Sequence, residues 1–173
     1  DAERAFFTTQ QAWGAVDNGY ARIQSTKPQT LAYGLNDSPI GLAAWLLEKW
    51  HTWTAPPSGD LFETIERDVV LGNLSVYWFT QTANYGGRDN HHYLDALPDD
   101  ATIAVPVGVS LVATQPIERV PREYAARRYP DIRYWRELPR GGHFIAGEEP
   151  ALLAASISAF ARQLGMLSGE ELD

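Results

Sequence analysis

At 173 residues with 45% hydrophobic content, the chain is long enough for one globular domain with a core of its own. A net charge of −8 leaves no basic surface to neutralise phosphates, so no nucleic-acid partner is expected; the cations around Arg119–Arg140 are interleaved with Glu118, Glu123, Asp131 and Glu137. The lack of cysteine removes disulfides, zinc–thiolate sites and thiol nucleophiles together, and no apolar run approaches the roughly 20 residues that span a bilayer.

The opening Asp1-Ala2-Glu3-Arg4 is polar and acidic, unlike a secretory leader, and has no initiator methionine. A cytoplasmic location and a processed, trimmed or truncated start are the expectations. Phe6–Ile23 predicts a helix broken near Asn18-Gly19, followed by a turn over Thr26-Lys27-Pro28-Gln29-Thr30, since proline cannot continue a helix. Asp37-Ser38-Pro39 has the pattern of an N-cap with proline at the first helical position, opening an apolar helix over Gly41–Trp53. After a Pro/Gly loop at 55–60, a helix is expected over Leu61–Val70, with helix continuing through Asn73–Thr82. Gly86–His92 is expected to be a polar loop.

The second half changes character. Thr102–Val112 is β-branched and apolar, as in a buried parallel strand. Pro121–Arg128 predicts a short charged helix, Ile132–Leu138 a second strand, and Pro139–Phe144 a glycine-rich turn. Glu148-Glu149-Pro150 then caps a helix over Ala151–Leu164, with an apolar stripe at Leu152, Ile157, Phe160 and Leu164. Two strands are too few for an independent α/β sheet. The remaining strands are expected upstream in the same protein, or else on another polypeptide.

Chemistry concentrates in Arg140-Gly141-Gly142-His143-Phe144. Glycines after a strand let a loop turn tightly and present an imidazole at the sheet edge, where a general base is useful; a loop histidine can equally be structural. Six tryptophans and eight tyrosines suit either an ordinary core or a pocket for an apolar substrate. Adjacent His91 and His92 point in different directions and lack further ligands at useful spacing, so no metal site is expected. Asp37 and Ser38 are accounted for by helix capping. Glu148 and Glu149 suit a helix N-terminus and would also buttress the histidine loop.

Longer stretches carry a resemblance. Gly19-Tyr20-Ala21-Arg22-Ile23-Gln24-Ser25-Thr26-Lys27-Pro28, Leu35-Asn36-Asp37-Ser38-Pro39-Ile40-Gly41-Leu42, Pro106-Val107-Gly108, Pro121-Arg122-Glu123-Tyr124, Arg128-Tyr129-Pro130 and Pro139-Arg140-Gly141-Gly142-His143-Phe144, with Glu148-Glu149-Pro150, occur in one order. From about Tyr20 to Phe160 the chain resembles the microsomal-type epoxide hydrolases of the α/β-hydrolase superfamily. The resemblance implies the C-terminal part of an α/β-hydrolase fold: a helical lid over 1–98, then the last core strands and helices over 99–173, carrying the catalytic histidine.

That family implies attack of an Asp nucleophile on a small apolar epoxide while lid tyrosines hydrogen-bond the departing oxygen. A histidine oriented by a carboxylate then activates water to release a vicinal diol, in detoxification or secondary metabolism. Water is the only co-reactant, with no metal or organic cofactor. No strand–Gly–x–Asp–x–Gly turn occurs here, so the nucleophile is expected in an N-terminal part of the same protein. His143 corresponds to the base and Tyr20 to the first lid tyrosine. Gapless counting from Tyr77-Trp78-Phe79-Thr80 reaches Asn90 for the second tyrosine; an insertion through Gly86-Gly87 would bring Tyr93 there, with Tyr85 a poorer fit. The gapless place of the orienting acid is Pro116, with Glu118 the nearest carboxylate. Otherwise the acid comes from the N-terminal part, or the histidine lacks one. The last case motivates an alternative: a non-hydrolytic descendant, a binding protein or a cyclase/dehydratase-like enzyme, using the same lid pocket. Homo-oligomerisation is left open.

Overall fold

The structure is a computed structural model that describes residues 1–54, 56, 58–83, 101–112 and 119–167. They divide into two compact units, Gln10–Asp99 and Asp1–Thr9 with Asp100–Asp173.

The Gln10–Asp99 unit is helical. Helix α1 (Ala2–Asp17) enters it, and α2 (Gly19–Thr26), α3 (Pro28–Asp37) and α4 (Pro39–Thr54) follow, each separated from the last by one residue. The breaks have local causes. A residue before proline is pushed out of the helical region, and Lys27 and Ser38 sit at ψ 52° and 106° for this reason. Each following proline then occupies the first helical position, where its missing N–H costs nothing. Ser38 Oγ accepts the Gly41 N–H at 3.0 Å, so the expected cap at 37–39 rests on the serine.

Two expectations need correcting here. The turn over 26–30 contracts to Lys27, and α3 occupies a stretch that polar Gln29, Thr30, Asn36 and Asp37 disguise; only Ala32 and Leu35, three apart, are buried in it. The helix expected from Leu61 is a single 3-10 turn, Leu61–Glu63, because Asp60 caps Phe62 N at 2.9 Å and the chain unwinds after Thr64. Helix α5 begins at Arg67 and runs to Thr80, where Gln81 closes it in the left-handed region at φ 54°. Ala32, Leu35, Leu42, Leu61, Ile65 and Val70 form the buried core. The loop expected at Gly86–His92 lies outside the described residues.

The second unit holds the sheet. Strand β1 (Val107–Leu111) pairs in parallel with β2 (Ile132–Glu137), and helix α6 (Arg122–Arg128) lies between them in sequence, a β–α–β order. The strand expected from Thr102 starts only at Val107: Pro106 has no N–H to give a ladder, and the register breaks at Val107/Gly108. Short helix α7 (Ile145–Glu148) and helix α8 (Pro150–Gln163) complete the layer. The first residues of α1 also belong here, with Phe7 packed edge-on to Tyr124 at 5.2 Å and Glu3 paired to Arg127 at 2.7 Å.

Helix α8 reaches the sheet through the expected face at Phe160, but Ser156 and not Ile157 completes that face. Ser156 is the buried residue, linked to Ser110 Oγ at 2.8 Å and to the Tyr134 hydroxyl at 2.9 Å, whereas Ile157 is 59% exposed. One position along a helix turns the side chain by about 100°, enough to leave the packed face. Gly108 admits the Phe160 ring: a Cβ there would lie 2.8 Å from it. Among the described residues no helix is long and apolar enough to cross a membrane.

Replacing Gly108→Ala therefore overpacks the β1–α8 contact. The expected loss is about 1–3 kcal/mol in urea denaturation, and an unchanged midpoint would mean that the ring can retreat freely.

Candidate active site

The histidine loop begins where the sheet ends. Leu138, 2% exposed, donates its N–H to Leu111 O at 2.7 Å and continues the pairing past β2. Gly141 then adopts φ +98°, and a Cβ on it would overlap Ile145 Cδ1, so both backbone and space require glycine. Gly142 is buried and His143 is exposed, its ring perpendicular to that of Phe144 at 5.1 Å.

The two acids after the loop hold it from behind. Glu148 accepts the N–H of Gly142 at 2.8 Å through one oxygen and that of Phe144 at 2.9 Å through the other, so one carboxylate brackets His143 from both sides. Glu149 accepts from Arg140 Nε at 2.5 Å. Burial pushes the Glu148 carboxyl above its ordinary value; the two N–H bonds and nearby His143 oppose this without cancelling it.

Tyr20 stands at the start of α2, in the Gln10–Asp99 unit. Its ring meets the Trp53 ring edge-on at 5.3 Å, and the Lys49 ammonium lies 4.9 Å from its centroid. Asp17 ties these partners together, accepting from Lys49 Nζ at 2.6 Å and from Trp53 Nε1 at 2.9 Å. Burial, then the Asp17 charge, push the Tyr20 phenol above its ordinary value, and Lys49 pulls the other way. Burial works against the Lys49 charge, yet hydrogen bonds to Asp17 and Glu48 outweigh it, so the lysine pKa is also raised. Both groups keep their protons at neutral pH.

Of the four residues singled out in the sequence, the structure thus describes His143 and Tyr20, in separate compact units. Tyr93 and Glu118 lie outside the described residues, as do Asn90, Pro116 and the His91–His92 pair. Sequence reading missed Asp17, Lys49 and Trp53. The available signal was their spacing: Asp17 is three residues before Tyr20, and Lys49 and Trp53 stand four apart on one helix. A cleft of about 430 Å³ in the sheet-bearing unit, lined by Phe6, Leu111, Trp135 and Glu137 among others, contains none of the predicted residues.

Glu148→Ala is expected to speed amide exchange at Gly142 and Phe144 and to cost about 1–2 kcal/mol, the low part of the range for orphaned donors because the loop is partly open to water. The pH dependence has a definite sign. Because the folded-state value is raised above the ordinary 4.5, the folded form binds more protons just above that pH. The associated stability is present below this interval and is lost as pH rises through the raised value. Unfolding midpoints of Glu148→Gln should lack this decline; an identical pH profile would refute the burial effect.

Comparison with known proteins gives these loops a context. No family model matches the chain. Epoxide hydrolase 1 of Oryctolagus cuniculus is 34% identical over 168 residues, covering 91% of this chain and 36% of its own length. The solved structure of Aspergillus niger epoxide hydrolase superposes with a TM-score of 0.78 at 28% identity, covering 94% of this chain and 40% of that one. That of juvenile hormone epoxide hydrolase from the silkworm Bombyx mori gives 0.78 at 29% identity, with 92% and 40% covered. The chain thus spans little more than a third of the length of such relatives. By sequence and by fold it belongs to the microsomal-type epoxide hydrolase family of the α/β-hydrolase superfamily, as a C-terminal portion of that fold.

Proposed function

We propose that the protein to which this chain belongs hydrolyses epoxides to vicinal diols, and that the chain supplies the water-activating base and an electrophilic tyrosine. The observation carrying this reading is the His143 loop, set after β2 by Gly141 and bracketed by Glu148, in a chain 34% identical to Epoxide hydrolase 1 of Oryctolagus cuniculus. In the first step an aspartate carboxylate from elsewhere in the protein attacks an epoxide carbon. A C–O ester bond forms, the ring C–O bond breaks, and the departing oxygen takes a hydrogen bond and then a proton from Tyr20. In the second, His143 removes a proton from water and the resulting hydroxide attacks the ester carbonyl; the acyl C–O bond breaks, the diol oxygen leaves and takes the imidazolium proton, and the proton of the regenerated aspartic acid returns through water to the Tyr20 phenolate.

The surroundings of Tyr20 support its role. A phenol with a raised pKa remains a donor at neutral pH without carrying charge. The reading extends to residues 1–98 as the lid and 99–173 as core, with Tyr93 as the second tyrosine. Glu118, or a carboxylate of an N-terminal part, orients the imidazole.

Two substitutions separate the steps in the full-length protein mixed with styrene oxide. His143→Gln is expected to accumulate an ester visible by intact mass while diol release slows by about 10²–10⁴-fold. Tyr20→Phe is expected to slow ester formation. Rapid diol release by the His143 variant, with no adduct, would sink the assignment.

A further inference from the structure

The Gln10–Asp99 unit encloses an ion pair that ring opening does not require as such. Lys49 Nζ and Asp17 Oδ1 stand 2.6 Å apart, with side chains only 13% and 10% exposed. Taking both charges out of water is costly, and apolar residues of similar size would join the helices at least as well. What a charged pair adds is direction.

Here the direction converges on one ring. Asp17, the last residue of α1, uses Oδ1 for the Lys49 ammonium and Oδ2 for the Trp53 indole N–H at 2.9 Å. Lys49 and Trp53 are one turn apart on α4, so the carboxylate fixes both at once. The ammonium then lies 4.9 Å from the Tyr20 ring centroid, and the indole meets the same ring at 5.3 Å and 65°. The break at Asn18 starts α2 afresh, bringing Tyr20 back to the group that Asp17 organises. These contacts engage only the ring; among the described residues no hydrogen bond occupies the Tyr20 hydroxyl.

We propose that Asp17, Lys49 and Trp53 are positioning residues that clamp the Tyr20 ring and leave its hydroxyl free to donate to the epoxide oxygen. The proposal rests on the assignment of Tyr20 given above. It differs in consequence from a general stabilising role: the clamp acts on ester formation, through Tyr20, and not on ester hydrolysis.

A double-mutant cycle on the full-length protein, with styrene oxide as probe and single-turnover intact mass as readout, tests it. Lys49→Met is expected to slow ester formation about tenfold, in line with the cost of a small misplacement of a reacting group. It should leave the rate of ester hydrolysis unchanged and have no further effect in the Tyr20→Phe background, while Lys49→Arg should recover most of the loss. Should Lys49→Met fail to fold, Trp53→Phe removes the indole N–H donor and part of the ring that meets Tyr20, and is expected to show the same selectivity. Equal slowing with and without Tyr20, or equal slowing of both steps, overturns the clamp. An undiminished rate of ester formation in Tyr20→Phe overturns the tyrosine's role itself, and the clamp with it.

Discussion

The Glu148 carboxylate is the interaction on which the histidine loop depends. Between Leu138 and Ile145 the backbone belongs to no helix or strand, so its N–H groups have no ladder to join. Glu148 takes two of them, those on either side of His143, and each bond to a charged acceptor is worth more than a neutral one. The arrangement has an opposing cost, because the carboxylate is drawn out of water, and the raised pKa says that burial outweighs the help it receives. The same two oxygens fix the backbone on either side of His143. Upstream, the loop's starting point depends on the β1–β2 pairing, and the close approach of Phe160 to Gly108 holds α8 against that pairing.

The other unit solves a similar problem with side chains. Tyr20 sits in a regular helix whose backbone is already satisfied, so its orientation has to come from the ring's neighbours. A cation near its face and an indole at its edge constrain tilt and rotation together, and Asp17 keeps the two in register. In both places a carboxylate serves two donors at once. One acts on the backbone beside His143, the other on the side chains around Tyr20.

How much of this was legible in the sequence follows from how local each cause is. The Lys27-Pro28 and Ser38-Pro39 breaks, the α6 segment, β2 and the glycine-supported turn at 139–144 rest on one residue and its immediate neighbours, and the sequence shows them. Helix α3 was not visible because it buries only Ala32 and Leu35, too few to make a periodic stripe. The strand start at Val107 required weighing one missing N–H at Pro106 against a β-branched run. Ser156 on the packed face of α8 escaped because periodicity scores apolarity, while that face is completed by hydroxyls from Ser110 and Tyr134. For the candidate site, motif and position single out His143, Tyr20 and the buttressing acids, all of them among the described residues. The Asp17–Lys49–Trp53 group left only local spacings as a signal, since it joins residues more than thirty positions apart and no motif includes all three.

On the proposed role of Tyr20, the charge balance around its ring accounts for the presence of both ions. A phenol that donates to a developing alkoxide has to hold its proton until the oxygen begins to leave. A lone lysine over the ring would stabilise the phenolate and lower its pKa. A lone aspartate would raise the pKa and give the phenol an acceptor of its own, competing with substrate. Paired, the two oppose each other at the ring, with Asp17 raising and Lys49 lowering. Burial then decides the outcome in favour of the neutral phenol. The ion pair thus lets a cation hold the ring in place without ionising the group it holds, which a hydrophobic contact of the same shape could do only by giving up direction.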